Sequence, residues 1–252
     1  MIVSDFPMEL LQRTSHRPTP LPDSKWLMTQ RWDHLLFMHF PVSRDLIQEH
    51  IPSPLELDTF DGEAWVSIIP FKVNAMRLRR LPKIPFFHSY LELNVRTYVK
   101  HQGVPGVYFF SLDANLLPFV LGSRALSLPY FQAKMSMSVQ NGAIAYSSIR
   151  NGKTRGIFQA TYRATSKPFT PATGTLTDWF LERYILWTIK GKTVLQGDIH
   201  HEKWQVSEAE VDIKKVELPP FQTGTPLYLH YALSRRVLLW PLHPIKSATS
   251  KH

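Results

Sequence analysis

Between Tyr90 and Tyr98 the chain alternates strictly: Tyr90, Glu92, Asn94, Arg96 and Tyr98 fall on one face of an extended strand, and Leu91, Leu93, Val95 and Thr97 fall on the other. The polar row carries chemistry by type. A carboxyl can move a proton, a guanidinium can neutralise an anion, and an amide and two phenols can donate hydrogen bonds. The apolar row requires a core behind it. The polar row then faces solvent, or it is a mutually satisfied network walling an enclosed pocket. Solvent-facing strands more often carry Lys, Thr and Ser, but the alternation alone leaves both readings open.

Other groups could join such a site. On a strand starting near Pro129, Lys134 shares a face with Tyr130 and Gln132, as a pocket cation, an amine nucleophile or a surface lysine. His39, between Met38 and Phe40, is a hydrogen-bonded core residue or an acid or base. In Asp198-Ile199-His200-His201-Glu202, alternation groups Asp198, His200 and Glu202 and sets His201 opposite. That is compatible with a two-carboxylate, one-histidine metal site. Charged residues are usual at strand ends, however, and no second ligand group is identifiable, so no metal is expected. Ser111 and Asp113 share a face with Phe109, without the Gly-x-Ser-x-Gly elbow that serine hydrolysis would use. Zero cysteines exclude disulfides, thiolate metal sites and cysteine nucleophiles, and the 11 glycines form no phosphate loop. No cofactor is expected.

The elements that must position these residues are mainly strands. Trp26 to Gln30, Leu35 to Phe40, Ala64 to Val73, Tyr90 to Lys100, Val107 to Ala114, Ala133 to Val139, Ala143 to Arg150, Gly156 to Ala164, Leu186 to Ile189, Lys192 to His200 and Leu227 to Trp240 are rich in β-branched and aromatic residues. Asn141-Gly142 and Asn151-Gly152 predict tight hairpins that make residues 133–164 a three-stranded meander. Gln102-Gly103 and Lys190-Gly191 mark further turns. Short turns between successive strands require antiparallel pairing. Helices are few: Arg44 to Ile51 behind an N-cap Ser43, Thr177 to Ile185, and Asp5 to Gln12. Residues 1–25, with Pro18, Pro20 and Pro22, predict an extended arm, and residues 26–252 a single domain.

Four runs carry a resemblance: Trp32-Asp33-His34-Leu35-Leu36-Phe37-Met38-His39-Phe40-Pro41-Val42, Leu57-Asp58-Thr59-Phe60-Asp61-Gly62-Glu63-Ala64-Trp65, Glu92-Leu93-Asn94-Val95-Arg96-Thr97-Tyr98-Val99 and Val107-Tyr108-Phe109-Phe110-Ser111-Leu112-Asp113-Ala114. Together they resemble the uncharacterised YqjF-like family of bacterial proteins, grouped with the acetoacetate decarboxylase-like superfamily. The resemblance implies a cone-shaped or partly closed antiparallel β-barrel with two or three peripheral short helices and a small ligand inside. Decarboxylases of that superfamily use a Schiff-base lysine activated by a second lysine. In the corresponding stretch Arg124 to Lys134, Pro129 is present, but Tyr130 and Phe131 stand where the lysine pair would be. Glu92, in Tyr90-Leu91-Glu92, resembles the pocket glutamate of those enzymes, with Arg96 as its local partner.

The expectation is a β-barrel that binds a small carboxylate- or carbonyl-bearing compound. Glu92 and Lys134 would be the catalytic candidates, and Asn94, Arg96, Tyr98, Arg124, Tyr130 and His39 the binding residues. Any chemistry would be lyase-like but not the lysine-pair decarboxylation. The alternative is a non-catalytic protein whose basic surface meets an acidic partner. The net charge of +9 and pI near 9.7 favour anions, but the basic residues are dispersed. The tightest cluster, Arg77, Arg79, Arg80 and Lys83, sits in a Pro-containing loop without a nucleic-acid motif, so no nucleic-acid partner is expected. Asp5, Glu9, Gln12 and Arg13 interrupt the first apolar residues, and no later run suits a membrane span. A soluble, cytoplasmic protein is expected, and the resemblance allows a homo-oligomer.

Overall fold

The computed structural model describes residues 6–81, 88–125, 127–150, 154–220 and 224–245; Asp5, Lys83 and the Asn151-Gly152 turn lie outside them. Among the described residues, four short helices, α1 (Phe6–Gln12), α2 (Arg44–Gln48), α3 (Leu117–Ala125) and α4 (Leu176–Leu181), accompany the strands. The strands are β1 (Met28–Val42), β2 (Glu56–Leu57), β3 (Ala64–Leu78), β4 (Tyr90–His101), β5 (Val104–Ala114), β6 (Tyr130–Gln132) and β7 (Lys134–Gln140). They continue as β8 (Ala143–Arg150), β9 (Gly156–Ala164), β10 (Ile185–Lys190), β11 (Thr193–His201), β12 (Ser207–Glu217), β13 (Tyr228–Leu239) and β14 (His243–Pro244). Among the described residues, no helix is long and apolar enough to cross a membrane.

The strands form a partial ring. β13, β1, β3, β4 and β5 are antiparallel neighbours. β5 meets β10 through a single parallel pair, Val107 with Leu186, and β11 returns from β10 to β13 through Ile199, His200 and His201. Gly106 makes the β5–β10 approach feasible. A Cβ there would lie 2.6 Å from the Trp187 ring and 2.7 Å from the Ile185 carbonyl oxygen. β12 leads off the ring from β13 to the meander β9, β8 and β7. The two-residue turns form where positive φ is tolerated: Gln102 and Gly103 at 52° and 77°, Asn141 and Gly142 at 50° and 78°.

Two apolar clusters follow from this arrangement. Leu91, Leu93 and Val95 pack with Tyr146, Phe158 and Tyr162 of the meander, whereas Leu35, Phe37, Ile69, Phe71 and Leu112 pack inside the ring. The polar row of β4 therefore points inward. The Tyr146 hydroxyl ties the layers together by donating to the carbonyl oxygens of Glu92 at 2.8 Å and Phe71 at 3.1 Å.

Several expectations change. The two predicted strands around Arg31 to His34 are one, β1, which passes through irregular pairing with β3 and a positive φ of 55° at His34. Arg77 lies in β3 rather than in a loop. β12 and α3 were not expected. The helix expected at Asp5 to Gln12 is present as α1, and its Leu10 is buried with Leu238 and Trp240.

Candidate functional site

Inside the ring lies a cavity of about 160 Å³. Its polar wall is the inward row of β4: Tyr90, Glu92, Asn94 and Arg96. Ile69 and Phe71 of β3 flank that row, with Gln30, Trp32, Leu35 and Phe37 of β1 beyond them, and Phe119 and Ser123 of α3 line the cavity with Tyr130 of β6. The facing side is Asp198, Ile199 and His201 of β11 with Trp204, and the stretch Leu239 to Leu242 closes one end.

A bulge decides which residues of β5 take part. Val95 pairs with Ser111 but Arg96 with Phe109, so Phe110 is an extra residue on β5. Phe109 on one side of the bulge and Leu112 on the other both line the cavity. Ser111 and Asp113 therefore do not share a face with Phe109, and Asp113 instead meets Arg150 and Ser148 outside the ring.

Glu92 is buried and accepts a hydrogen bond from the Tyr130 hydroxyl at 3.0 Å. Burial pushes its carboxyl up to about 8, and the hydrogen bonds from Tyr130 and Tyr90 offset this only in part. Both phenols are themselves raised well above 10, by burial first and then by the neighbouring carboxyl, so they stay protonated donors. A relay supports Tyr90: Trp32 Nε1 donates to Gln30 Oε1 at 2.7 Å, and Gln30 Nε2 donates to the Tyr90 hydroxyl at 3.3 Å. Near neutral pH the wall thus presents a mostly neutral carboxylic acid.

Arg96 does not pair with Glu92, contrary to expectation. Its Nη2 donates to the Phe180 carbonyl at 3.1 Å, its Nε is buried without a partner, and no ion pair involves it among the described residues. Arg183, which also lines the cavity, is neutralised: its Nη1 lies 2.7 Å from Asp58, which also takes Lys100 at 2.8 Å. Asn94 carries a buried Oδ1 with no partner.

Four expected residues lie elsewhere. Tyr98 belongs to the inward row but is covered by Trp179 and Phe180, and its hydroxyl lies 2.7 Å from Ser67 Oγ. His39 Nδ1 lies 2.8 Å from the same Ser67, and its ring stacks on Phe180 at 3.8 Å. Burial, then His230 and Arg96, hold His39 well below its ordinary value, so it is a neutral core group. Arg124 is exposed and acts on the site only through the backbone, donating from Nε to the Tyr130 carbonyl. Lys134 is exposed on β7, outside the cavity, because Met135 and Met137 take the covered face of that strand. No described lining residue is a lysine.

The Asp198 to Glu202 segment is divided among different tasks. Among the described residues no His, Asp and Glu group is arranged to hold a metal ion. His200 Nε2 meets the Leu10 carbonyl at 2.8 Å. His201 lines the cavity with Nδ1 2.8 Å from the Glu202 carbonyl; burial above all lowers it to about 3, so it is neutral with the proton on Nδ1 and Nε2 left as an acceptor. Sequence reasoning did not single out Gln30, Trp32, Arg183 or Trp204 as lining residues. Only the fold, which brings Arg183 to Asp58, reveals them.

Residues 29–236 match the DUF2071 family, described as an uncharacterized conserved protein. The uncharacterized protein YqjF of Bacillus subtilis (strain 168) is 42% identical over 242 residues, covering 92% of this chain and 98% of that protein. Among solved structures, the acetoacetate decarboxylase of Legionella pneumophila has a TM-score of 0.61 at 14% identity, covering 95% of this chain and 96% of that one. An acetoacetate decarboxylase-like enzyme from Sphingomonas wittichii RW1 gives 0.62 at 12%, covering 92% and 98%. The enduracididine biosynthesis enzyme MppR, complexed with pyruvate, gives 0.61 at 10%, covering 91% and 93%. These likenesses establish the shared fold.

Proposed function

The chain belongs to the DUF2071 family, and from that premise we propose that it binds a small carboxylate- or carbonyl-bearing organic molecule in the ring cavity, with Arg96 neutralising the ligand's charge and Glu92 exchanging a proton with it. One observation carries the reading. A buried, mostly neutral carboxyl and a guanidinium with no carboxylate of its own stand on the same wall of one cavity. Each is incomplete within the protein, since a half-buried guanidinium favours an anion and a buried acid a hydrogen-bond acceptor. The decarboxylase-like fold and the pyruvate held by MppR support an organic acid as the ligand class.

The chemistry differs from that of a Schiff-base enzyme. Tyr130 occupies the wall near Glu92, and the amine nucleophile has no counterpart among the described lining residues. What these residues can supply is acid–base and electrostatic: Glu92 donates or accepts a proton, the tyrosines hold it, and the aromatic walls exclude water. Native mass spectrometry of freshly purified protein tests the reading. Wild type is expected to retain a small organic acid that Arg96→Gln releases while keeping its circular dichroism. If neither retained ligand nor calorimetric binding of any acid in a broad panel is found in wild type, the proposal fails.

A further inference from the structure

We infer that the ligand is an elongated acid with oxygen at both ends: a carboxylate at Arg96 and, one ring-sized apolar body away, a carbonyl or hydroxyl oxygen at Glu92 and Tyr130. This rests on the site reading above and adds length, the apolar body and the second oxygen. Glu92 and Arg96 lie on one face of β4. At the rise of an extended strand, their Cα atoms are roughly 13 Å apart.

Their side chains are held towards opposite ends of the row. Tyr130 draws the Glu92 carboxyl at 3.0 Å, on the side where Phe119 packs 4.8 Å from Tyr90. The Arg96 guanidinium is drawn the other way, with Nη2 on the Phe180 carbonyl at 3.1 Å and Cζ 5.7 Å from the Tyr98 ring. A three-carbon keto acid reaches one pole and leaves the other without a partner. Between the poles the row is flanked by Ile69 and Phe71 of β3 and by Phe109 and Leu112 of β5, with Phe37 of β1 beyond them and Asn94 as the polar group of β4 there. A polyol or sugar acid would bury hydroxyls against those walls unpaired, whereas a ring would not. The volume agrees, since the 160 Å³ here is close to that of apolar cavities of about 150 Å³ that take up benzene.

Titration calorimetry with pyruvate, phenylacetate and 4-hydroxyphenylacetate on wild type, Arg96→Gln and Glu92→Leu tests the inference, with circular dichroism confirming that both variants fold. Wild type is expected to bind 4-hydroxyphenylacetate about tenfold more tightly than phenylacetate, as a charge-free hydrogen bond in a buried site allows, and pyruvate most weakly. Arg96→Gln weakens all three acids. Glu92→Leu, which cannot hydrogen-bond the second oxygen, shrinks the gap between the two aryl acids. Pyruvate binding most tightly, no gap in wild type, or a gap that survives undiminished in Glu92→Leu overturns the elongated ligand while leaving an acid at Arg96 intact. Absence of any Arg96-dependent binding overturns the site reading as well.

Discussion

Glu92 and Asp113 are buried carboxyls on adjacent strands, and they have opposite surroundings. Asp113 turns away from the ring towards the meander, where Arg150 Nε lies at 3.3 Å and Ser148 Oγ donates at 3.3 Å. Gly156 leaves room for that arginine, since a Cβ there would come within 2.6 Å of Nη2. Arg150 is held again by Phe131, 4.2 Å from its guanidinium carbon to the ring centroid. Burial raises Asp113 only to about 6 because Arg150 opposes it, whereas Glu92, with hydroxyl partners alone, reaches about 8. The comparison separates two uses of a buried charge. At Asp113 the protein supplies the counter-ion, so the group joins sheet to sheet. At Glu92 and Arg96 the acid and the cation stay apart, which is the arrangement that the proposed ligand would complete.

The largest test of this contrast is on stability. Asp113→Ala leaves the Arg150 guanidinium buried and unpaired, so a loss of about 3–5 kcal/mol is expected. Glu92→Gln keeps the shape and a hydrogen-bonding head group, and at pH 6 it removes the cost, about 2 kcal/mol, of keeping the acid protonated above its ordinary 4.5, so it should destabilise by no more than about 1 kcal/mol. Urea unfolding at unchanged m measures both. A larger loss at Glu92 than at Asp113 would make the cavity wall the structural network and reverse the assignment.

The pH dependence sharpens the comparison next. Glu92 is raised in the folded state from an ordinary 4.5 to about 8, so the native protein keeps a proton that the unfolded chain has released. Its effect is therefore to lower stability as pH rises from about 4.5 to about 8, after which it levels off. The slope is at most about 1.4 kcal/mol per pH unit for one group. Asp113, raised from 3.8 to about 6, acts the same way in that lower window only. The wild-type minus Glu92→Gln difference in unfolding free energy should fall through pH 7, and the corresponding difference for Asp113→Asn should be flat there. A flat Glu92 difference between pH 6 and 8 would show an ordinary, hydrated carboxyl.

These two carboxyls also show how far the sequence reaches. Alternation grouped Glu92 with the rest of the polar row, because β4 runs without interruption, but it left open whether that row faced solvent or a pocket, and the packing of the apolar row on the meander is what turns it inward. Alternation misplaced Asp113, since one extra residue, Phe110, exchanges the faces of β5, and bulges leave no period in the composition. β12 escaped notice because exposed Glu208, Glu210 and Asp212 mask the covered Ala209, Val211 and Ile213. In α3, Pro118 and Gly122 argue locally against a helix, although proline is tolerated in a first turn. Arg183 was out of reach for a different reason: its counter-ion, Asp58, is 125 residues away. The mainly-β class, the meander and the alternation of β4 are local patterns and were legible; the direction of the polar row and the cavity's lining are products of ring formation.

The smallest expected effect concerns the lysine that alternation grouped with Tyr130. Period two correctly puts Lys134, Ser136 and Ser138 on one side of β7, but it cannot say which side the rest of the molecule covers, and that side is the one with Met135 and Met137. Lys134 is thus a solvated cation outside the ring, and Lys134→Ala should change stability by no more than about 0.5 kcal/mol. Acid binding should be unchanged within error, and borohydride treatment with keto acids or aldehydes should label no lysine. Loss of binding in Lys134→Ala, or reductive labelling at that position, would move the chemistry from the Glu92 wall to the outer face of β7. The contrast between a carboxyl completed by the protein and one completed by a ligand would then no longer describe this molecule.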